Sequence, residues 1–137
     1  MGGFDLAAVE SACTGDGVDG ADCADVLARL VEKSLVSVEV RGNERRYRLP
    51  ETMRLYALDQ LEEAGEAAAL SKRHAHWALA LAEQERGSTR LDRESANLRA
   101  ALETLARSAP SDALRLCVAL RPFWLRRIDL AEANRRF

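Results

Sequence analysis

The chain has 137 residues, long enough for one ordinary domain or for two small units of roughly 65 to 70 residues each. It is 47% hydrophobic and 31% charged with only 5% aromatic residues, the composition of a helical protein rather than a disordered or disulfide-built one. A net charge of −2 gives no overall positive field toward nucleic acid or an anionic membrane, so any such binding must be local.

Asp5 is placed to cap a short helix running to about Cys13, with Leu6, Val9 and Ala12 or Cys13 along one side. The TGDGVDG stretch at 14–20 ends it. A second helix is predicted from about Asp22 to Lys33, where Cys23, Val26, Leu27, Leu30 and Val31 share one stripe and Asp25, Arg29 and Glu32 face outward. The period then changes. Val36, Val38 and Val40 alternate with Ser37 and Glu39 as a half-buried strand, RGNE at 41–44 supplies a turn, and Tyr47 and Leu49 alternate with Arg46 and Arg48, so the two runs predict a β-hairpin.

Pro50 suits the start of a third helix, which Gly65 ends, with Met53, Tyr56, Ala57, Leu61 and Ala64 as its apolar stripe. Every later segment has helical period. Leu70, His74, Trp77, Ala78 and Leu81 form one stripe; Leu91, Leu98, Ala101, Leu102 and Leu105 the next; Ala113, Cys117, Leu120 and Trp124 a third. Turns are expected near Gly87 and Ser88 and over 108–111, Pro122 should kink or shorten the last helix, and Asp129 could cap another that leaves Leu130 and Phe137 without packing partners. The expected fold is mainly α: a winged-helix-like unit with one β-hairpin over 1–65, followed by an antiparallel helical-repeat array over 66–137.

The segments GGFDLAAVESAC at 2–13, DVLARLVEKSLV at 25–36, RRYRLPETMRLYALDQLEEAGE at 45–66, KRHAHWALALAE at 72–83, ANLRAAL at 96–102 and ALRLCVALRPFWLRRIDLAEA at 113–133 carry a resemblance that runs nearly end to end. In this order they resemble the region after the nucleotide-binding module in bacterial STAND (NB-ARC-type) regulators of the LuxR and antibiotic-regulator classes. The resemblance implies a winged-helix unit between an ATPase core and a sensor array similar to tetratricopeptide repeats, packed against bound ADP to hold a resting state. It also implies that the first helix of the winged-helix core is missing and that the array is truncated.

The chain departs from that family in three ways. It has no GxxxxGK[ST] phosphate loop and no C-terminal LuxR-type helix-turn-helix. Some relatives place a Met-His-Asp triplet where this chain has Leu49, Pro50 and Glu51, so no nucleotide-binding residue is carried over.

Candidate site residues follow from the same reading. Arg41, Arg45, Arg46 and Arg48 on the hairpin could touch nucleic-acid phosphates, as a DNA-binding wing does. Glu39 and Glu44 on the same hairpin and the acidic outer face of the second helix argue against it. Trp77, Phe123 and Trp124 could line an interaction surface, although core is the favoured reading for them. His74 and His76 lie two apart and point in different directions on a helix, so no metal is expected; His74, three residues before Trp77, reads as a packed side chain. No cofactor is expected, and no catalytic residue is assigned, because no nucleophile elbow or converging carboxylate pair is present. Cys13, Cys23 and Cys117 show no ligand spacing and read as reduced and mostly buried.

The expected function is a non-enzymatic regulatory and protein-interaction module from a STAND-type transcriptional regulator. Its partner would be another protein or the nucleotide-binding module, with self-association through open helix faces, no membrane role and a cytoplasmic address. The alternative is a free-standing winged-helix DNA-binding regulator that uses the hairpin arginines.

Overall fold

The computed structural model describes residues 2–15 and 17–135, with side chains described through 128, so the expectations for Leu130 and Phe137 lie outside the described side chains. The architecture is mainly helical with one antiparallel hairpin. In chain order it comprises α1 (Leu6–Cys13), α2 (Gly20–Glu32), β1 (Ser37–Arg41), β2 (Glu44–Arg48), α3 (Glu51–Glu63), α4 (Ala67–Gln84), α5 (Arg90–Arg93), α6 (Ser95–Ser108) and α7 (Pro110–Arg135).

The Asp5 side chain accepts from the Ala8 amide at 2.8 Å and so caps α1 as its sequence predicts. The face it buries differs from the expected one: Ala8 and Ala12 are buried, while Leu6 and Val9 are half-buried at the flanks. Small residues let α1 lie close against α4, which is itself alanine-rich on that side. In α2, Cys23 and Leu27 are buried as expected, but Val26 is exposed, α1 being the main packing partner of this helix among the described residues.

The hairpin pairs Val38 with Tyr47 and Val40 with Arg45, and closes through Gly42 and Asn43. Gly42 has φ +61°, the left-handed conformation that this two-residue turn requires. The strand expected to be half-buried is exposed along its whole length; Val36, just before it, is the buried valine. Val38 faces Tyr47, on whose ring Phe4 stacks, and is 39% exposed; Val40, nearer the turn, is 60% exposed. α3 is little covered as well. Its stripe is only half-buried at Met53, Ala57 and Leu61, Tyr56 is exposed, and no residue of the helix is fully buried; its main contact among the described residues is a short one with α4.

The core lies where α4, α6 and α7 meet. Leu98, Ala101 and Leu105 of α6 interlock with Ala78, Leu79 and Ala82 of α4 and with Leu116, Ala119, Leu120 and Phe123 of α7. Since α4 has α1 on one side and α6 and α7 on the other, it buries Ala75, Leu79 and Ala82 in addition to the single stripe read from the sequence. The segment read as one helix from Leu91 to Leu105 is two, α5 and α6, with the break at Glu94.

In α7 the buried stripe is turned from the expected one. Leu116 and Phe123 enter the core, whereas Cys117 is half-buried and Trp124 is 40% exposed. Pro122 does not end the helix, and Asp129 does not cap a new one: α7 runs through both. Pro122 lacks an amide for the Val118 carbonyl, yet it sits against Gly87, and Arg126 one turn on holds the Gly87 and Ser88 carbonyls.

Candidate functional site: the hairpin and its junction with the helical array

The segment before α1 pairs with β2. The Phe4 amide donates to the Tyr47 carbonyl at 2.9 Å, the Tyr47 amide donates to the Phe4 carbonyl at 2.8 Å, and the two rings stack at 5.9 Å. Gly3 is required by this pairing. A methyl group at position 3 would run into the Tyr47 carbonyl oxygen and the stems of Arg46 and Arg48.

Arg46 turns inward from the hairpin. Its guanidinium donates to a Glu94 carboxylate oxygen, to the Gly3 carbonyl at 2.6 Å and to the Arg93 carbonyl at 3.0 Å. Glu94, 2% exposed, is the buried charged residue among the described ones. Its second oxygen accepts from Asn97 Nδ2 at 2.6 Å, and Asn97 also reaches the Gly3 carbonyl at 3.2 Å. His74 lies beside this network and against Trp77, with ring centroids 5.7 Å apart. Burial pushes the His74 imidazole pKa down, opposed by the Asn97 hydrogen bond and the nearby Glu94 charge. A buried ion pair with its remaining lone pairs satisfied fixes geometry, and removing either partner strands a charge.

Beside this junction lies a cleft of about 440 Å³ lined by six arginines, Arg41, Arg45, Arg46, Arg48, Arg90 and Arg93, against four acids, Asp5, Glu39, Glu44 and Glu94. Most of these charges are paired. Arg41 holds Glu39 at 2.7 Å, which keeps that carboxyl below its ordinary range, Arg93 holds Glu44, and Arg90 spans Asp5 and Glu85 at 3.2 and 3.3 Å. Arg45 and Arg48 are exposed and form no ion pair among the described residues. The four hairpin arginines therefore divide: Arg46 is structural, Arg41 is held by Glu39, Arg48 is exposed but acts on the same Glu39 charge, and Arg45 is exposed. On α2, the helix before the hairpin, Asp22, Asp25 and Glu32 stand exposed beside Arg29, so its outer face is acidic.

Of the aromatic candidates, Phe123 is 4% exposed and belongs to the core, so it is not available as surface. Trp77 is half-buried against the same core, and Trp124 remains outside. His76 Nδ1 donates to the Lys72 carbonyl, 2.8 Å away, and its Nε2 lies 3.7 Å from an Asp112 carboxylate oxygen. Among the described residues no group of three or more His, Cys, Asp or Glu is arranged to hold a metal ion. Cys23 is buried, while Cys13 and Cys117 are half-buried; burial raises the Cys13 pKa and keeps that thiol protonated and weakly nucleophilic. No helix among the described residues is long and apolar enough to cross a membrane.

Sequence reasoning missed Glu94 and Asn97. A signal was present: Leu91, Glu94, Leu98, Ala101 and Leu105 are spaced as one helical stripe, and a carboxylate in such a stripe requires a buried cationic partner.

No protein-family model and no solved structure matches the chain. The chain is similar to curated proteins from two strains of Mycobacterium tuberculosis and from Mycobacterium bovis, each named "Putative HTH-type transcriptional regulator". Identity to each is 38% over 142 aligned positions, covering 96% of this chain and 16% of the relative. The chain thus spans about one sixth of the length of these relatives and aligns, almost end to end, with one segment of them.

Proposed function

We propose that the chain is a regulatory, non-enzymatic interaction segment of a helix-turn-helix-type transcriptional regulator, of the STAND kind, in which the hairpin unit couples a neighbouring module to the helical array. The names of the mycobacterial relatives support the regulatory part of this reading. The observation that carries the coupling part is Arg46: the most central of the wing arginines is drawn away from solvent into Glu94, so the hairpin is docked on the array rather than held out as a wing. The acidic outer face of α2 supports it too, since a helix carrying Asp22, Asp25 and Glu32 repels phosphates.

A second reading, direct DNA contact through the hairpin, is favoured by those same names and by the exposure of Arg41, Arg45 and Arg48. Fluorescence-anisotropy titration with random duplex DNA, at low and physiological salt, separates the two. The comparison variant is Arg45→Ala/Arg48→Ala, which leaves Arg46 in place because its loss would disturb the fold. The coupling reading predicts no binding tighter than about 100 µM at physiological salt and no difference in the variant. Binding that falls with salt and weakens in the variant would establish the DNA-contact reading instead.

A further inference from the structure

Cys13 is the last residue of α1, Cys23 closes the first turn of α2, and both are free thiols. The chain reverses sharply between them. Gly15 and Val18 exchange both backbone hydrogen bonds, at 3.2 and 3.0 Å, so α2 starts beside the end of α1. That start lies on the last turn of α1, because a Cβ on Gly20 would sit 3.9 Å from Glu10 Cγ. Cys13 is three residues beyond Glu10 and Cys23 three beyond Gly20, and residues three apart share a helix face. The two cysteines therefore stand on the faces that the α1–α2 contact brings together.

The electrostatics agree with that placement. Burial pushes the Cys13 thiol pKa up, the neighbouring Cys23 sulfur pushes it further, and Arg73 opposes both. One sulfur acts on the ionisation of another only at short range. Arg73 belongs to α4, and its Nε donates to the Ala12 carbonyl at 2.7 Å, which holds the guanidinium at the end of α1. Cys13 is half-buried whereas Cys23 is 5% exposed, so a reagent in solution meets Cys13 first. Cys117 is on α7, whose main packing partners are α4 and α6.

We infer that Cys13 and Cys23 form a reversible dithiol–disulfide pair, oxidised by a low-molecular-weight disulfide, that staples the end of α1 to the first turn of α2. The Cys13 thiolate, its proton released to solvent, attacks one sulfur of the oxidant RSSR; a mixed disulfide forms and RS⁻ leaves. The Cys23 thiolate, likewise deprotonated, then attacks the Cys13 sulfur, forms the Cys13–Cys23 bond and expels the second RS⁻. The two RS⁻ take up the two released protons, so two protein thiols and RSSR give one protein disulfide and two RSH. Arg73 favours the attacking Cys13 thiolate, while burial keeps its standing fraction small and the first step slow. The bond removes freedom from the turn between the helices. This inference goes beyond the coupling reading and does not depend on it.

The test incubates the intact chain with glutathione disulfide for several hours, with folding followed by circular dichroism. Remaining thiols are then blocked with iodoacetamide and the peptides mapped by mass spectrometry. The expected result is a peptide linked through Cys13 and Cys23, Cys117 outside any bridge within the chain, and return of the thiols on treatment with dithiothreitol. The amides of Thr14 and Cys23, which donate to the Glu10 and Asp19 carbonyls, should exchange with deuterium about tenfold more slowly in the oxidised chain. A glutathione adduct that persists at Cys13, a Cys13 left unmodified, a bridge that includes Cys117, or linkage that forms only in urea would overturn the inference. So would oxidation that leaves exchange at Thr14 and Cys23 unchanged, since the bond would then fix nothing.

Discussion

Arg46 on β2 and Glu94 at the break between α5 and α6 form an ion pair across 48 residues of sequence, and the carboxylate side of that pair is 2% exposed. Through it the hairpin, the segment around Gly3 and the first turn of α6 share one hydrogen-bonded junction. The pair decides which arginines remain available to a partner and fixes the hairpin against the array.

Glu94→Gln should therefore destabilise the chain by about 3 kcal/mol, because the neutral amide leaves the Arg46 guanidinium buried without its counter-charge. Glu39→Gln, at the exposed pair with Arg41, should change stability little. Urea denaturation followed by circular dichroism measures both.

Gly3→Ala should cost about 2 kcal/mol, since the added methyl meets backbone and has no room to move. The Phe4 and Tyr47 amides, which hold the extra strand pairing, should exchange faster with deuterium in this variant while α6 amides keep their protection.

The depressed pKa of His74 gives the fold a pH dependence of known sign. Above the imidazole's ordinary value of 6.5 the group is neutral in both states and has no effect on stability. As pH falls below that value the unfolded chain takes up the proton first, so stability declines until the folded-state pKa is passed. The facing groups are Asn97, Glu94 and Trp77, with Arg46 beyond Glu94. His74→Gln should flatten the decline that sets in as pH falls below about 6.5 in a series of thermal melts.

The orientation of α7 is open to a paired test. Leu116→Ala should cost about 3 kcal/mol from a fully buried site, whereas Leu114→Ala, two residues away on the outer face, should change stability by less than about 0.5 kcal/mol.

The fold class was legible in the sequence because two periods carry it: valines alternating at 36, 38 and 40, and apolar residues at helical spacing before and after them. Periodicity alone could not choose the phase of α7, where Leu114, Leu116, Cys117 and Val118 offer overlapping stripes and only the position of α4 and α6 selects Leu116. It also overestimated burial of β1 and α3, since it reports which face is apolar and not whether anything covers that face. Among the candidate residues, the hairpin arginines were recognised as a group, but their division was not. A partner 48 positions away leaves no local trace at Arg46, and the signal lay at Glu94, a carboxylate in an apolar stripe.

The most direct test of a hairpin fixed to the array is a double-mutant cycle on Arg46→Ala and Glu94→Ala, with unfolding free energies of the parent, both single variants and the double variant. A docked hairpin predicts that the two losses are far from additive, with a coupling of about 2 kcal/mol or more and a double variant little worse than either single one. Additive losses, with a coupling below about 0.5 kcal/mol, would contradict it and describe a wing that is free of the array.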